Sequence, residues 1–172
     1  MRNAIQRLAL LPIVALFLLP TACHRTDGRA EALLNNADSL LTANPDSALR
    51  LLEALPATTE LTRRESARYA LLLAQATDKC EKPLLPCDSL LDVALDYYDD
   101  DERERAVALL YKGRLEAEMA QSERTVDFLL GGLEIIKKFP QEIEIRRHLL
   151  SSLGNDCLLY TSPSPRDISG SR

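Results

Sequence analysis

The sequence of 172 residues has no tryptophan, only two histidines and few aromatic side chains, which make up 5% of the chain. Sites that hold sugars or bases by stacking depend on aromatic rings, so this composition argues against such a site. A Ser-His-Asp or Cys-His catalytic arrangement would depend on His24 or His148 alone. His24 directly follows Cys23, and His148 ends an Arg-Arg-His run typical of a solvated helix face. The sequence therefore predicts no enzyme activity.

Glycine is also scarce, and none of the six glycines belongs to a phosphate-binding loop. The pair Gly131 and Gly132 lies inside an amphipathic segment instead. The acidic run at 99–102 (Asp-Asp-Asp-Glu) lacks the alternating ligands and central glycine of a calcium loop. It precedes a predicted helix, where carboxylates interact favourably with the helix dipole. We interpret the run as a helix start, with calcium binding as the alternative, and predict neither a metal nor a cofactor.

The first residues have the pattern of an export signal. Two arginines precede an almost unbroken apolar run over 8–19, and small residues lead up to Cys23. The run is shorter than the roughly 20 apolar residues that a membrane span needs, but it fits the apolar region of a secretory signal. The sequence therefore predicts a signal peptide over 1–22.

Residues 19–23 (Leu-Pro-Thr-Ala-Cys) resemble a lipobox, in which the cysteine is acylated and the chain is cut just before it. Pro20 departs from this pattern, because an aliphatic residue usually stands at its position. We predict that Cys23 is the lipid attachment site, with an ordinary cleaved signal and an unmodified Cys23 as the alternative. Acyl chains at Cys23 would anchor the protein to a membrane.

The composition changes abruptly at Cys157. The eleven residues 157–167 (Cys-Leu-Leu-Tyr-Thr-Ser-Pro-Ser-Pro-Arg-Asp) resemble a translated sequencing adapter. We interpret 157–172 as a non-native tail and expect the native protein to continue past 156. The alternative is a native Ser/Pro-rich linker.

Basic residues are in the minority between the two ends. The whole chain has 21 basic and 26 acidic side chains. Four of the basic and one of the acidic side chains lie in the two end segments, 1–22 and 157–172. The remaining 17 basic and 25 acidic side chains give a net charge of −8. Nucleic-acid binding would call for a basic patch, so we predict no contact with nucleic acid.

The segment between the two ends reads as helices throughout. Apolar residues at 33, 34, 37, 40 and 41 follow one helical face, and Asn44-Pro45 ends that helix and caps the next. Thr62 and Glu65 have capping-box spacing ahead of a helix that reaches about residue 79. Pro83 and Pro86 break the chain, after which Asp88 or Ser89 is expected to cap a short helix. Further helices are predicted over about 102–119 and 123–138, and from about 142 onward.

No segment alternates as a strand does, so the predicted fold class is all-α. The expected architecture is a series of antiparallel helical hairpins over 31–156, preceded by a short tether at 23–30. Tyr97 and Tyr98 are interpreted as helix packing.

One part of this series resembles a tetratricopeptide repeat. Gly113 stands at the small position of the first helix of the repeat. Leu129 and Gly132 stand at the large apolar and second small positions of the second helix. Gly154 restarts the first helix of a further repeat, 41 residues after Gly113. The sequence departs from the consensus at three positions that are usually apolar or alanine, namely Lys112, Glu116 and Thr125.

Taken in order, motifs across 23–156 resemble a group of bacterial tetratricopeptide lipoproteins. The motifs are Asp-Ser-Leu-Leu at 38–41, Pro-Asp-Ser-Ala-Leu at 45–49, Ala-Arg-Tyr-Ala-Leu-Leu-Leu at 67–73 and Asp-Tyr-Tyr at 96–98. The resemblance implies a helical solenoid, incomplete here, that binds a protein or peptide. Longer members continue with a membrane helix and a cytoplasmic regulatory region.

The resulting hypothesis is an extracytoplasmic interaction scaffold of the cell envelope, lipid-anchored to the inner or outer membrane. It would be the sensing half of a regulator or part of an assembly machine. A glycan-capturing outer-membrane lipoprotein is the alternative, which the absence of tryptophan disfavours. An inert helical spacer is the third reading, because a fold does not imply a function.

Cys80 and Cys87 flank the proline-rich break. In an oxidising compartment a disulfide between them would fix the turn, with a small stabilisation because the loop is short. Two free thiols are the alternative. Two cysteines without a nearby histidine fall short of the four ligands of a zinc site.

Overall fold

The computed structural model describes residues 28–55, 60–100 and 102–161. Within these ranges the chain is all-helical, with no strand, which confirms the predicted fold class. A 3₁₀ turn at Leu85–Cys87 precedes the fourth helix. The helices are α1 (Gly28–Ala43), α2 (Pro45–Glu53), α3 (Arg63–Lys79), α4 (Asp88–Tyr97), α5 (Arg103–Glu118), α6 (Ser122–Ile136) and α7 (Ile143–Thr161). None of these helices combines the length and hydrophobicity that a membrane crossing requires.

The first and last described helices extend beyond the predicted repeat region of 31–156. Helix α1 already begins at Gly28, within the predicted tether, and α7 continues to Thr161, within the predicted tail. The predicted signal peptide and Cys23 lie outside the described residues, as does 162–172.

Two helix starts follow the predicted caps. The Asn44 side chain accepts a hydrogen bond from the Ser47 amide at 3.1 Å, and Pro45 opens α2. At α3, the Thr62 hydroxyl accepts from the Glu65 amide at 3.2 Å, while Glu65 accepts from the Thr62 amide at 2.8 Å. Each cap satisfies amide groups that have no partner inside the helix, so these boundaries are set locally.

The predicted side-chain cap of α4 is wrong. Residue Cys87 occupies the cap position and makes no side-chain bond there, so neither Asp88 nor Ser89 caps the helix. The Asp88 carboxylate instead accepts a hydrogen bond from Lys112 Nζ at 2.6 Å. A charged partner from α5 competes successfully with the local amide groups for this carboxylate.

The acidic run before α5 contributes no side-chain cap either, since α5 begins after Glu102 without one. Asp99 accepts from the Asp100 amide at 2.8 Å, and Asp100 lies 2.8 Å from Arg105 Nε. Asp101 lies outside the described residues. The run stands at a helix start as expected, but its two described aspartates bind within the preceding loop and to Arg105.

Apolar side chains form two core clusters that share α3. The smaller cluster joins α1, α2 and α3 around Leu34, Leu52 and Leu72. The larger cluster joins α3 to α7 around Leu91, Leu115 and Leu129. Because Leu71 belongs to one cluster and Leu72 to the other, α3 lies between them.

The helices pack in a regular order. Each helix contacts the next one along the chain. In addition, α1 contacts α3, α3 contacts α5, and α5 contacts α7. Helix α5 is therefore covered by α3, α4, α6 and α7.

Glycines mark the closest approaches between the later helices. A Cβ atom on Gly113 would lie 2.8 Å from the Leu129 side chain, and one on Gly132 would lie 2.8 Å from Leu149. The structure thus brings Gly113 and Leu129 into contact across α5 and α6. It places Gly132 against α7. A Cβ on Gly154 would meet no atom within 4 Å.

Candidate binding surface

A cavity of about 450 Å³ lies on the side of the molecule where α1, α3 and α5 meet. Its volume is in the range of ligand sites, about 300–1,000 Å³. Helices α1, α3 and α5, the last residue of α4 and the α4–α5 connection supply its walls. The lining residues are Asp38, Arg64, Arg68, Leu71, Leu72, Gln75, Tyr97, Tyr98, Glu102, Arg103, Glu104 and Val107.

The apolar lining residues belong to the two cores. Leu71 and Leu72 on α3 and Val107 on α5 are all buried. Leu71 and Val107 pack in the larger core cluster, and Leu72 packs in the smaller one. Most other lining residues are charged or polar, so a ligand would meet an apolar base with a polar rim.

Arg68 is paired within the protein. Its Nη1 donates to Asn35 Oδ1 at 2.6 Å, and its Nη2 donates to Asp38 Oδ2 at 2.9 Å. Both partners lie on α1, so the guanidinium ties α3 to α1 at the edge of the cavity.

Arg103 is paired in a similar way at the other edge. Its Nε lies 2.9 Å from Glu142 Oε1, and its Nη1 lies 3.7 Å from Glu104 Oε1. Glu142 directly precedes α7, so this pair ties the start of α5 to the start of α7.

The two adjacent tyrosines have different surroundings. Their rings meet edge to face with centroids 5.2 Å apart. Tyr98 is half-buried against the larger core, and burial, then Glu104, raises its pKa to about 12. Tyr97 is 37% exposed and borders the cavity. Tyr98 therefore packs as predicted, whereas Tyr97 also presents a ring to the cavity.

Two charged lining residues are left without an ion pair. Among the described residues, no carboxylate lies within 4.0 Å of the Arg64 guanidinium, and no cation lies within that distance of Glu102. Gln75 donates through Nε2 to the Leu71 carbonyl at 3.2 Å, and its amide oxygen has no partner in this part of the chain.

Polar side chains of α5 hold α4 and the loop before it. Arg105 donates to the Leu95 and Tyr98 carbonyls at 2.7 and 2.9 Å, which satisfies the last carbonyls of α4. Glu118 accepts from the Leu84 amide at 2.8 Å. The Arg105 contacts fix the α4–α5 connection that forms one wall of the cavity, and the Glu118 contact fixes the loop before α4.

Lys112 is a buried cation with two carboxylate partners. It is 3% exposed, and its Nζ lies 2.6 Å from Asp88 and 2.5 Å from Asp92. Burial lowers the pKa of Lys112, but the hydrogen bonds to the two aspartates outweigh it and raise the pKa above the usual value. The charge at position 112 therefore has a structural role, because it joins α5 to α4.

Glu116, one turn further along α5, is fully buried and less well paired. Arg124 Nη2 lies 2.8 Å from Glu116 Oε1, yet neither carboxylate oxygen accepts a well-directed hydrogen bond from the residues that the structure describes. The Arg124 guanidinium also lies over the Phe128 ring, 6.0 Å from its centroid. Thr125 is buried and donates to the Gln121 carbonyl at 3.1 Å.

Both cysteines of the proline-rich break are free thiols in the structure. Cys87 is buried in the larger core, where its Sγ lies 3.9 Å from Thr77 Oγ1 and burial raises its pKa. Cys80 packs against the smaller core. The arrangement is that of the free-thiol alternative.

No three His, Cys, Asp or Glu side chains converge as a possible metal site in the described ranges. Comparison with known protein families, curated proteins and solved structures gives no significant match.

The cavity was not among the sequence-based predictions, although one signal for it was present. The α3 lining residues stand at 64, 68, 71, 72 and 75, which is the spacing of one helical face. The arginines at 64 and 68 mark one end of this face as polar, and the leucines at 71 and 72 mark its middle as apolar. The contributions of α1 and α5 depend on tertiary packing and have no such local signal.

Proposed function

We propose that this protein is an interaction scaffold of the tetratricopeptide type, held at the cell envelope by a lipid on Cys23 and facing away from the cytoplasm. Its cavity would bind a protein or peptide. We propose no enzymatic role. Sensing for a regulator and assembly of an envelope complex are both compatible with such a scaffold, on either membrane.

The packing order of the helices supports tandem hairpins. In that interpretation α1–α2, α3–α4 and α5–α6 are three successive hairpins, and α7 begins a fourth. Stacked hairpins share a core, because one hairpin cannot bury its apolar face alone. The observed contacts between α1 and α3, α3 and α5, and α5 and α7 are those that such stacking requires.

The cavity is the observation that carries the functional proposal. Most of its lining comes from α1, α3 and α5, which are the first helices of the three hairpins, and the end of α4 with the connection after it supplies the rest. In a helical solenoid the repeated element on one side lines a concave surface, and that surface is available to a partner. One exposed aromatic side chain, Tyr97, borders the cavity. A glycan site usually stacks sugars on several rings, so this observation favours the glycan alternative only weakly.

The lipid anchor can be tested separately from binding. A bacterial host expressing the full chain is labelled with an alkyne analogue of palmitate, and the purified protein is examined for label. We expect label on the wild type and on the control Cys80→Ala, and none on Cys23→Ala. Equal labelling of Cys23→Ala would overturn the anchor.

Binding is tested by selection of random peptides on phage against the full-length chain in detergent. We expect Tyr97→Ala, which alters the cavity, to weaken the selected peptides about tenfold. Val93→Ala is the matched control, because Val93 is also exposed on α4 but does not line the cavity. Absence of any peptide, together with binding on a glycan array, would replace the scaffold proposal with the glycan alternative.

A further inference from the structure

We propose that the cavity recognises a polypeptide segment that carries one acidic and one basic side chain, bound by Arg64 and Glu102 respectively. This inference rests on the proposed function and adds the chemistry of the partner. It starts from the six charged residues that line the cavity.

Four of the six charges are engaged within the protein. Arg68 binds Asp38, and Arg103 lies close to Glu104 and closer still to Glu142. The Arg68–Asp38 pair links α3 to α1, and the Arg103–Glu142 pair links α5 to the start of α7. A ligand would have to break such links in order to use those groups.

Arg64 and Glu102 are the lining charges left without an ion pair among the described residues. Arg64 is exposed on α3, one turn before Arg68, and Glu102 is exposed at the start of α5. They stand on different helices that border one cavity, so one ligand can reach both. A guanidinium matches a carboxylate in geometry, and an exposed carboxylate accepts from lysine or arginine.

The overall charge of the lining disfavours a ligand of one sign. It holds three arginines and three carboxylates, so a polyanion would meet Asp38, Glu102 and Glu104. Like-charge contacts of this kind exclude the wrong partners of a binding surface. A segment with both charges places each next to its complement.

Two uncharged groups suit the rest of such a segment. The free amide oxygen of Gln75 can accept a hydrogen bond from a peptide N–H. The exposed ring of Tyr97 can cover an apolar part of the segment. Both lie among the lining residues of the same cavity.

A charge-swap selection tests the inference. Random peptides on phage are selected in parallel on the full-length wild type, on Arg64→Glu and on Glu102→Lys. The matched controls are Arg63→Glu, whose arginine pairs with Asp96 away from the cavity, and Glu123→Lys on α6. Circular dichroism melting checks that all five proteins fold alike.

We expect wild-type peptides to be enriched in one acidic and one basic residue at a fixed spacing. Arg64→Glu should weaken such a peptide about five- to thirtyfold, as expected when attraction in an exposed ion pair becomes repulsion. A lysine in place of the acidic peptide residue should restore its binding to Arg64→Glu. Glu102→Lys should show the converse, and the two controls should behave as wild type.

Two results would overturn the inference and differ in what they say about function. If both cavity variants select peptides with the wild-type charge pattern, the charge assignment is wrong and the scaffold proposal stands. If the wild type selects no peptide at all, both the scaffold proposal and the inference are overturned.

Discussion

The first and third helical pairs, α1–α2 and α5–α6, are built from similar elements but are buried very differently. Helix α1 buries four of its sixteen residues, all apolar and spaced along one face. Helix α5 has the same length and buries ten, including Lys112 and Glu116. The reason is position, because among the described helices α1 packs mainly against α2 and α3, whereas α5 is covered by four helices.

This difference in burial indicates which charged side chains the fold can accommodate. At α1 the ion pair of Asp38 and Arg68 lies at the surface, where water solvates both groups. At α5 the charges are inside, so their stability depends on the partners that neighbouring helices supply. The predictions below test whether burial at α5 has the energetic consequences that its packing implies.

The largest effect is expected from Leu129→Ala in the α5–α6 pair. Leu129 is fully buried against Gly113, and its loss would leave a cavity between two closely packed helices. We expect the free energy of unfolding to fall by about 3–5 kcal/mol. Urea denaturation measures this change in the free energy of unfolding. Leu130→Ala is the control, because Leu130 is 49% exposed. Equal losses for both variants would contradict the packing of α6 on α5.

The second effect concerns the buried cation. Replacing both partners, Asp88→Asn and Asp92→Asn, leaves Lys112 buried without a counter-charge. Because both aspartates are partly exposed, we expect a loss of about 2–3 kcal/mol, below the value for a fully buried pair.

The matched control for the buried cation is Asp38→Asn in the α1–α2 pair. Its partner Arg68 lies at the cavity edge and can turn to water, so the expected loss is at most about 1 kcal/mol. Each variant thus removes the carboxylate partners of one cation, two for Lys112 and one for Arg68. A loss at Asp38 as large as that at Asp88 and Asp92 would show that burial does not distinguish the two pairs.

The third effect is a dependence on alkaline pH. Burial raises the pKa of Tyr111 on α5 from 10.0 to about 12, so the folded protein keeps this proton between those values while the unfolded chain loses it. Stability therefore falls as the pH rises from 10 to 12, by at most about 2.7 kcal/mol from this group. Tyr111→Phe should remove that part of the fall.

Tyr69 supplies the comparison for the pH experiment, since it packs against the smaller core and is less buried. Burial raises its pKa as well. Urea midpoints measured at pH 9 and pH 11.5 should show a larger effect of Tyr111→Phe than of Tyr69→Phe. The reverse order would mean that the larger core admits water more freely than the smaller one.

The same contrast explains how much the sequence predicts. The starts of α2 and α3 are predictable because Asn44 and Thr62 bond to amides three residues away. The all-helical class also follows from local pattern, whereas the close approach at Gly113 is expected only from the resemblance to a repeat. The role of Asp88 does not, because its partner Lys112 is 24 residues away.

The cavity is predictable from the sequence only in part. Its α3 face has a readable spacing, but the pairing of Arg68 with Asn35 and Asp38 depends on the packing of α1 against α3. Which arginine stays unpaired is therefore a tertiary property. The pairing of the buried charges of α5 is of the same kind, since the partners of Lys112 lie on α4 and the partner of Glu116 lies on α6.

The smallest effect, and the one with opposite sign, is expected at Glu116. Its carboxylate is fully buried without a well-directed hydrogen bond, and Arg124 beside it is 57% exposed. Replacing a poorly satisfied buried charge by a neutral group of the same shape removes a desolvation cost, and the exposed arginine can be solvated by water. We expect Glu116→Gln to raise the free energy of unfolding by about 1 kcal/mol.

Lys112→Met, at the well-paired position one turn earlier, serves as the control and should bring a smaller gain or a loss. If Glu116→Gln instead destabilises the protein by 2 kcal/mol or more in urea denaturation, Arg124 satisfies the carboxylate fully, and the two buried charges of α5 are equivalent.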